Sequence, residues 1–214
     1  MAYEETLAAF RRGDNVEAER LAELDLVAAR AGGDTPASVD ALCMLARVAL
    51  RAGHLDVVEA RAAEAQQIAE AADDPALGQM PLHLRAVAAR MDRRYDEARR
   101  LYLASIGLNE ALGERRMAAA EHRNLAYAEI HAGNIARARE LFAESRRRLV
   151  GLDYPGLVPY LTFDEATVAA LDSDYATAAA RLREAYQQFE AQGVVPDPDD
   201  AAEIEELRER LASP

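Results

Sequence analysis

Asn124-Leu125-Ala126-Tyr127-Ala128-Glu129-Ile130-His131-Ala132-Gly133-Asn134-Ile135-Ala136-Arg137-Ala138-Arg139-Glu140-Leu141-Phe142 reads as a helix, a tight turn and a second helix. Ala, Leu and Glu favour helix. Gly133 supplies the left-handed conformation that ends one helix, and Asn134 is a residue type that caps the next. Stepping from Gly133 by forty residues gives Gly13, Gly53, Arg93 and Ser173. Two positions later stand Asn15, Leu55, Tyr95, Ile135 and Tyr175, mostly apolar. Five positions later stand Ala18, Val58, Ala98, Ala138 and Ala178, and seven before the turn stand Thr6, Ala46, Ala86, Ala126 and Ala166. Small residues at fixed places mark where helices approach closely, and a fixed period marks a repeat array.

Each unit therefore reads as helix A, turn, helix B and connector. The third turn, Asp92-Arg93-Arg94-Tyr95, lacks glycine, so it carries local strain or uses another turn. The connectors Gly32-Gly33-Asp34-Thr35-Pro36, Asp73-Asp74-Pro75, Gly113-Glu114 and Asp153-Tyr154-Pro155 stop one helix and start the next. Helices are predicted at 2–12, 15–31, 36–52, 55–72, 75–92, 95–112, 114–132, 135–150, 155–172, 175–192 and 198–212. Pro81 and Pro159 should kink the helices that hold them or delay their start. The last helix, 198–212, has acids at its start and Arg208 and Arg210 near its end, as the helix dipole favours. It is predicted to cap the array. The fold class is all-α: a solenoid of five helix hairpins (about 1–33, 34–73, 74–113, 114–153 and 154–193) and a C-terminal capping helix, with 1–214 forming one domain because no single hairpin can bury its own apolar stripe.

Composition agrees. Half the residues are apolar, only 6% are aromatic, and there is no Trp. Cys43 is the only cysteine, so no internal disulfide can form, which fits a reducing, cytoplasmic setting. No apolar run is long enough to span a bilayer, and no membrane partner is expected. Every basic residue is Arg. The net charge of −13 argues against nucleic-acid binding. The charge is segregated: residues 81–150 hold 14 Arg against 9 acids, while both flanking segments are acidic. A basic middle could steer an anionic ligand to the centre; solvated helix faces are the plainer explanation.

The stretch from Asn124 to Phe142, with Arg94-Tyr95-Asp96-Glu97-Ala98 and Gly53-His54-Leu55-Asp56-Val57-Val58, resembles the tetratricopeptide repeat (TPR) family over nearly the whole chain. The period is longer than that family's usual length of about 34. It is similar to the forty-residue variant of bacterial signalling proteins, including sensor regions of transcription regulators and peptide-sensing regulators. No P-loop pattern and no basic helix-turn-helix accompany it. The resemblance implies a right-handed superhelix whose A helices line a concave groove. Aligned on the turn, the groove positions are Cys43, Met44, Arg47 and Arg51 in repeat 2, and His83, Leu84, Val87, Arg90 and Met91 in repeat 3. Repeat 4 supplies Arg123, Asn124, Tyr127 and His131, and repeat 5 supplies Tyr160, Phe163, Asp164 and Thr167. Arginine forks hold carboxylates, and Met and aromatic rings give adaptable contact area.

The resemblance implies a non-catalytic scaffold binding a peptide or protein segment, acidic in character, with no cofactor. The alternatives are a regulatory domain sensing a small anion or peptide, and an enzyme built on the repeats. A carboxylate clamp of the chaperone-adaptor kind is disfavoured because the chain has no Lys. Cys43 has no His at a readable spacing. His122 and Glu129 share a helix face and are expected to be structural; His122 and His131 do not, so no shared metal is expected. Asp197, Asp199, Asp200 and Glu203 lack the glycine and ligand rhythm of a calcium loop, and helix capping accounts for them. An enzyme would need something like His83, His131 and Asp164 in one buried pocket. The Ala-rich B helices offer a face on which a homodimer could form.

Overall fold

The computed structural model describes residues 2–151, 155–193 and 195–212. Among these there is no strand, and the helices follow one another in antiparallel neighbours: α1 (Ala2–Arg11), α2 (Asn15–Gly32), α3 (Thr35–Arg51), α4 (Leu55–Ala71), α5 (Gln79–Met91), α6 (Tyr95–Ala111), α7 (Arg115–His131), α8 (Ile135–Leu149), α9 (Val158–Leu171), α10 (Tyr175–Gln192) and α11 (Pro198–Ala212). The forty-residue register decides the packing. Ala18, Val58, Ala98, Ala138 and Ala178, and likewise Thr6, Ala46, Ala86, Ala126 and Ala166, are all at most 1% exposed. Tyr102, Tyr127, Phe10 and Phe163 fill the larger spaces, in one apolar core running from Ala9 to Leu207.

The turns repeat one geometry whatever residue stands there. Gly13, Gly53 and Gly133 have φ of 78°, 75° and 81°, and Arg93 and Ser173 adopt the same left-handed region at 60° and 62°. Repeat 3 therefore keeps the common turn and bears the strain of a Cβ there. A second forty-residue series, Gly33, Asp73, Gly113 and Gly193, ends the B helices the same way. Asp14, Asp34 and Asp174 cap α2, α3 and α10 by accepting from the amides of Glu17, Ala37 and Thr177. Asn134 does not cap α8; its amide donates to Glu129 instead.

Short 3₁₀ turns at Pro75–Gly78 and Pro155–Leu157 precede α5 and α9. Pro81 and Pro159 thus sit in the first turns of delayed helices, where a missing N–H leaves no intrahelical bond unmade. The connector residues Asp153 and Tyr154 lie outside the described residues. Most neighbouring helices pack along their lengths, but α8 and α9 touch only sparsely. No helix among the described residues is long and apolar enough to cross a membrane.

The predicted capping helix, α11, has the expected span but does more than cover the last hairpin. It packs lightly on α9 and α10 and crosses the A helices. Its side chains reach Arg90 of α5 and Arg123 and His131 of α7, and Asp197, just before the helix begins, reaches Arg47 of α3.

Candidate groove across the A helices

The A helices project their cations toward α11. Arg90 is 3% exposed. Its Nη2 donates to Asp199 Oδ2 at 2.6 Å, its Nη1 to Glu203, and its Nε to the Tyr102 hydroxyl at 3.3 Å. Arg123 is also buried; its Nε donates to Asp164 Oδ1 at 2.7 Å and its Nη1 to Asp200, so one guanidinium ties α7 to both α9 and α11. Its face lies 5.0 Å from the Tyr127 ring centroid and 5.2 Å from that of Tyr160. His131 Nε2 meets both Glu203 oxygens at 3.0 Å and its ring stacks on Tyr95. Arg47 reaches Asp197 at 3.5 Å, a weak contact at the rim.

Beneath this layer runs a buried polar chain. Gln79 donates to Asn109, Asn109 to the Ser105 carbonyl, and Ser105 to Glu121 Oε1, which is also 3.0 Å from His83 Nδ1. Glu121 is fully buried, and a charge there needs a counter-charge. Burial opposes the charged form of His83, but Glu121 outweighs it and pushes the imidazole up to about 9. His131 is raised too, chiefly by its hydrogen bond to Glu203. Glu203 is lowered: burial opposes this, but His131 and Arg90 prevail. Asp164 is pushed up to about 6 by burial, despite Arg123 and the Tyr127 hydroxyl that donates to it at 2.8 Å.

The groove positions inferred from the sequence divide accordingly. Arg90, Arg123 and His131 meet α11 directly, with Arg47 at the edge. Arg51 turns instead to α1, its guanidinium 3.5 Å from the Phe10 ring centroid. His83 and Asn124 line a cavity of about 250 Å³ beside the first turn of α11, with Arg123, Tyr160 and Asp197. Tyr127 and Thr167 are buried around Asp164, with the Tyr127 hydroxyl 3.5 Å from Thr167 Oγ1. Met44, Val87 and Phe163 are at most 1% exposed and belong to the core. The turn-based alignment put them on the groove, but they sit below its surface: an A helix here is covered on nearly every side, so the one-stripe pattern used to place them does not resolve core from groove.

Three other expectations resolve. His122 and Glu129 do not pair: His122 Nδ1 lies 2.9 Å from the Ala118 carbonyl oxygen, while Glu129 takes the Arg99 fork of α6. Cys43 is buried and its thiol pushed up to about 12 by burial and by Asp40, which holds it protonated and unreactive. His83, His131 and Asp164 border three different cavities, so the pocket an enzyme would need is not assembled by them.

The residues that sequence reasoning missed are the occupants. Asp199, Asp200 and Glu203, read as helix-capping acids, spend their carboxylates on Arg90, Arg123 and His131. The charge segregation was the available signal. Ile204 and Leu207 continue the same face, at 5% and 6% exposure. Burying them is worth about 1.5–3 kcal/mol each, while buried ion pairs add register more than net strength. His131, Glu203 and Glu206 also bring three ligand atoms within 4.8 Å of one another, but Glu203 is already held by Arg90, so a metal ion would compete with a guanidinium.

No family model matches the sequence, and no curated protein does. The structure is similar to that of a Rap protein complexed with competence and sporulation factor (TM-score 0.76, 13% identity, covering 88% of this chain and 53% of that one). It is similar to the apo form of RapI (0.66, 13%, 99% and 58%) and to BtubC (BKLC) from P. vanneervenii (0.59, 18%, 100% and 94%). The chain spans just over half the length of the two Rap structures. At these identities the likeness establishes the fold alone, an array of antiparallel helical repeats.

Proposed function

We propose that this chain is a non-catalytic scaffold that binds a peptide or protein segment, acidic in character, along the face formed by its A helices. The observation that carries this is α11: a helix rich in acids lies across α5 and α7 with its carboxylates on Arg90, Arg123 and His131. That face has the charge, fork geometry and aromatic surroundings to hold an acidic segment. The Rap protein complexed with competence and sporulation factor supports reading such a helical array as a binding surface.

The test is fluorescence polarisation of the full chain against a panel of labelled peptides of matched length and opposite charge, to millimolar concentration. Acidic helical peptides should bind saturably and basic ones should not. Arg123→Lys keeps the charge but loses the fork, and should weaken binding about tenfold, or 1.4 kcal/mol, with the helical circular dichroism unchanged. No binding by any peptide, or equal affinity for Arg123→Lys, counts against the reading.

The cavity of about 250 Å³ beside α11 favours a second reading, a domain that senses a small anion-bearing molecule. That reading expects the small-angle scattering profile to change when a ligand saturates the chain. An unchanged profile removes it.

A further inference from the structure

The contacts of α11 are of two kinds. Asp199, Asp200 and Glu203 form a carboxylate fork on Arg90, Arg123 and His131, and Ile204 and Leu207 follow as apolar anchors. Leu211 packs partly buried against the core further along the same stripe and Arg210 donates to the Ala170 carbonyl oxygen, while Ala201, Ala202, Glu206, Arg208 and Glu209 are exposed. Its attachment to its chain neighbours α9 and α10 is sparse, whereas α9 and α10 pack on each other along their length. It is joined to α10 through Gly193, in the left-handed region, and a stretch at 195–197 with no regular structure. A helix held by one narrow stripe and a short tether is bound as a ligand is bound, with a high effective concentration in place of a large interface.

The face below α11 has a charge that fits this. With α11 removed, Arg90 keeps only the Tyr102 hydroxyl among its hydrogen-bond partners, and His131 loses Glu203. Arg123 keeps Asp164 but loses Asp200, and its Nη2 is buried without a hydrogen-bond partner even when α11 is in place. Such cations call for carboxylates, because an unpaired guanidinium in a partly dry site is costly.

We propose that α11 is a built-in occupant of the groove, displaced by a partner helix of the same chemistry. The partner segment carries carboxylates at positions i, i+1 and i+4 and aliphatic side chains at i+5 and i+8, in register with Asp199, Asp200, Glu203, Ile204 and Leu207. This rests on the scaffold reading above and adds to it the class of partner and the device that keeps the groove closed until that partner arrives. The partner must beat a tethered competitor, so only a segment that matches both the fork and the anchors takes its place.

The test uses the full chain and a labelled synthetic peptide of residues 195–212. Ile204→Glu/Leu207→Glu removes the anchors of the resident helix and leaves every groove residue in place. This variant should bind the peptide at least tenfold more tightly than the wild type does. A peptide with Lys at the three acidic positions should bind neither. Equal affinity for the two chains overturns the gating, and no binding by a variant whose α1–α10 helicity is intact overturns the partner class. If the variant misfolds, hydrogen exchange of the wild type decides. The amides of α11 should exchange at least tenfold faster than those of α7; equal protection makes α11 an integral part of the array and overturns the proposal. If this peptide fails while another acidic peptide binds in an Arg123-dependent way, the scaffold reading stands and the present one falls.

Discussion

His83 shows how one side chain can be read correctly for its place and wrongly for its task. Sequence register put it on an A helix beside the groove, and it does line the cavity there. Its nearer duty is to neutralise Glu121, which is fully buried between α5, α6 and α7. No sequence pattern announces that pair, because the two residues lie 38 apart and each is ordinary alone. The pair has a pH signature. An unfolded histidine titrates near 6.5, and in the fold His83 is pushed up to about 9. The folded state thus keeps a proton that the unfolded chain has lost. The stabilisation is complete below about pH 6.5 and disappears as pH rises through about 9. Urea unfolding should show stability falling over that window, and His83→Gln should flatten the fall by about 3 kcal/mol. His131, raised in the same direction, should leave a residual slope. A wild type equally stable at pH 6 and pH 9.5 would sink the assignment.

At the level of elements the sequence was almost fully legible. Helix bounds follow from caps, prolines and turn glycines, whose effects are local and act within one turn of the chain. The departures have local causes: α5 and α9 begin late because proline favours a 3₁₀ turn and then a first helical turn. The third turn tests the physical account. Arg93 holds φ at 60° where Gly133 holds 81°. A Cβ in that region costs about 1–2 kcal/mol, partly returned because glycine loses more freedom on folding. Arg93→Gly should therefore stabilise by about 0.5–1 kcal/mol and raise Tm by about 1–4 °C, and Gly133→Ala should lower it. The space around Gly133 is open, so the second effect is one of backbone conformation alone. Differential scanning calorimetry reads both, and a lowered Tm for Arg93→Gly contradicts the account.

The whole molecule is held unevenly. α8 and α9 touch sparsely, and repeats 4 and 5 meet through the cluster of Arg123, Tyr127, Phe163 and Asp164, with Tyr127 and Phe163 stacked at 5.8 Å, and through Arg139 and Arg146 of α8, which pair with Asp172 and Glu165. Arg123 also holds α11 through Asp200. Arg123→Ala leaves Asp164 buried without its guanidinium and should cost about 3–5 kcal/mol. The loss should fall on one end of the array: amide exchange should quicken across α9, α10 and α11 with little change in α1–α6, as nearest-neighbour stability in a repeat protein requires. A uniform rise in exchange over all helices would show that the array unfolds as a unit and that this junction is not its weak point.

By itself the sequence determined the period, the all-helical class, the turn positions and which small residues are buried, because each is set by short-range sterics or by a spacing that repeats five times. It also contained the charge segregation between a basic middle and an acidic tail. Only the tertiary structure decided where that charge meets. α11 lies on Arg90 and Arg123 through Asp199 and Asp200, which are 109 and 77 residues further along the chain respectively. Such a contact depends on how much each repeat turns on the last. That angle is the sum of many small packing choices among Ala, Leu and Tyr side chains, and no local pattern encodes it. Whether Met44, Val87 and Phe163 lie in core or groove follows from the same angle, since it determines what covers each A helix.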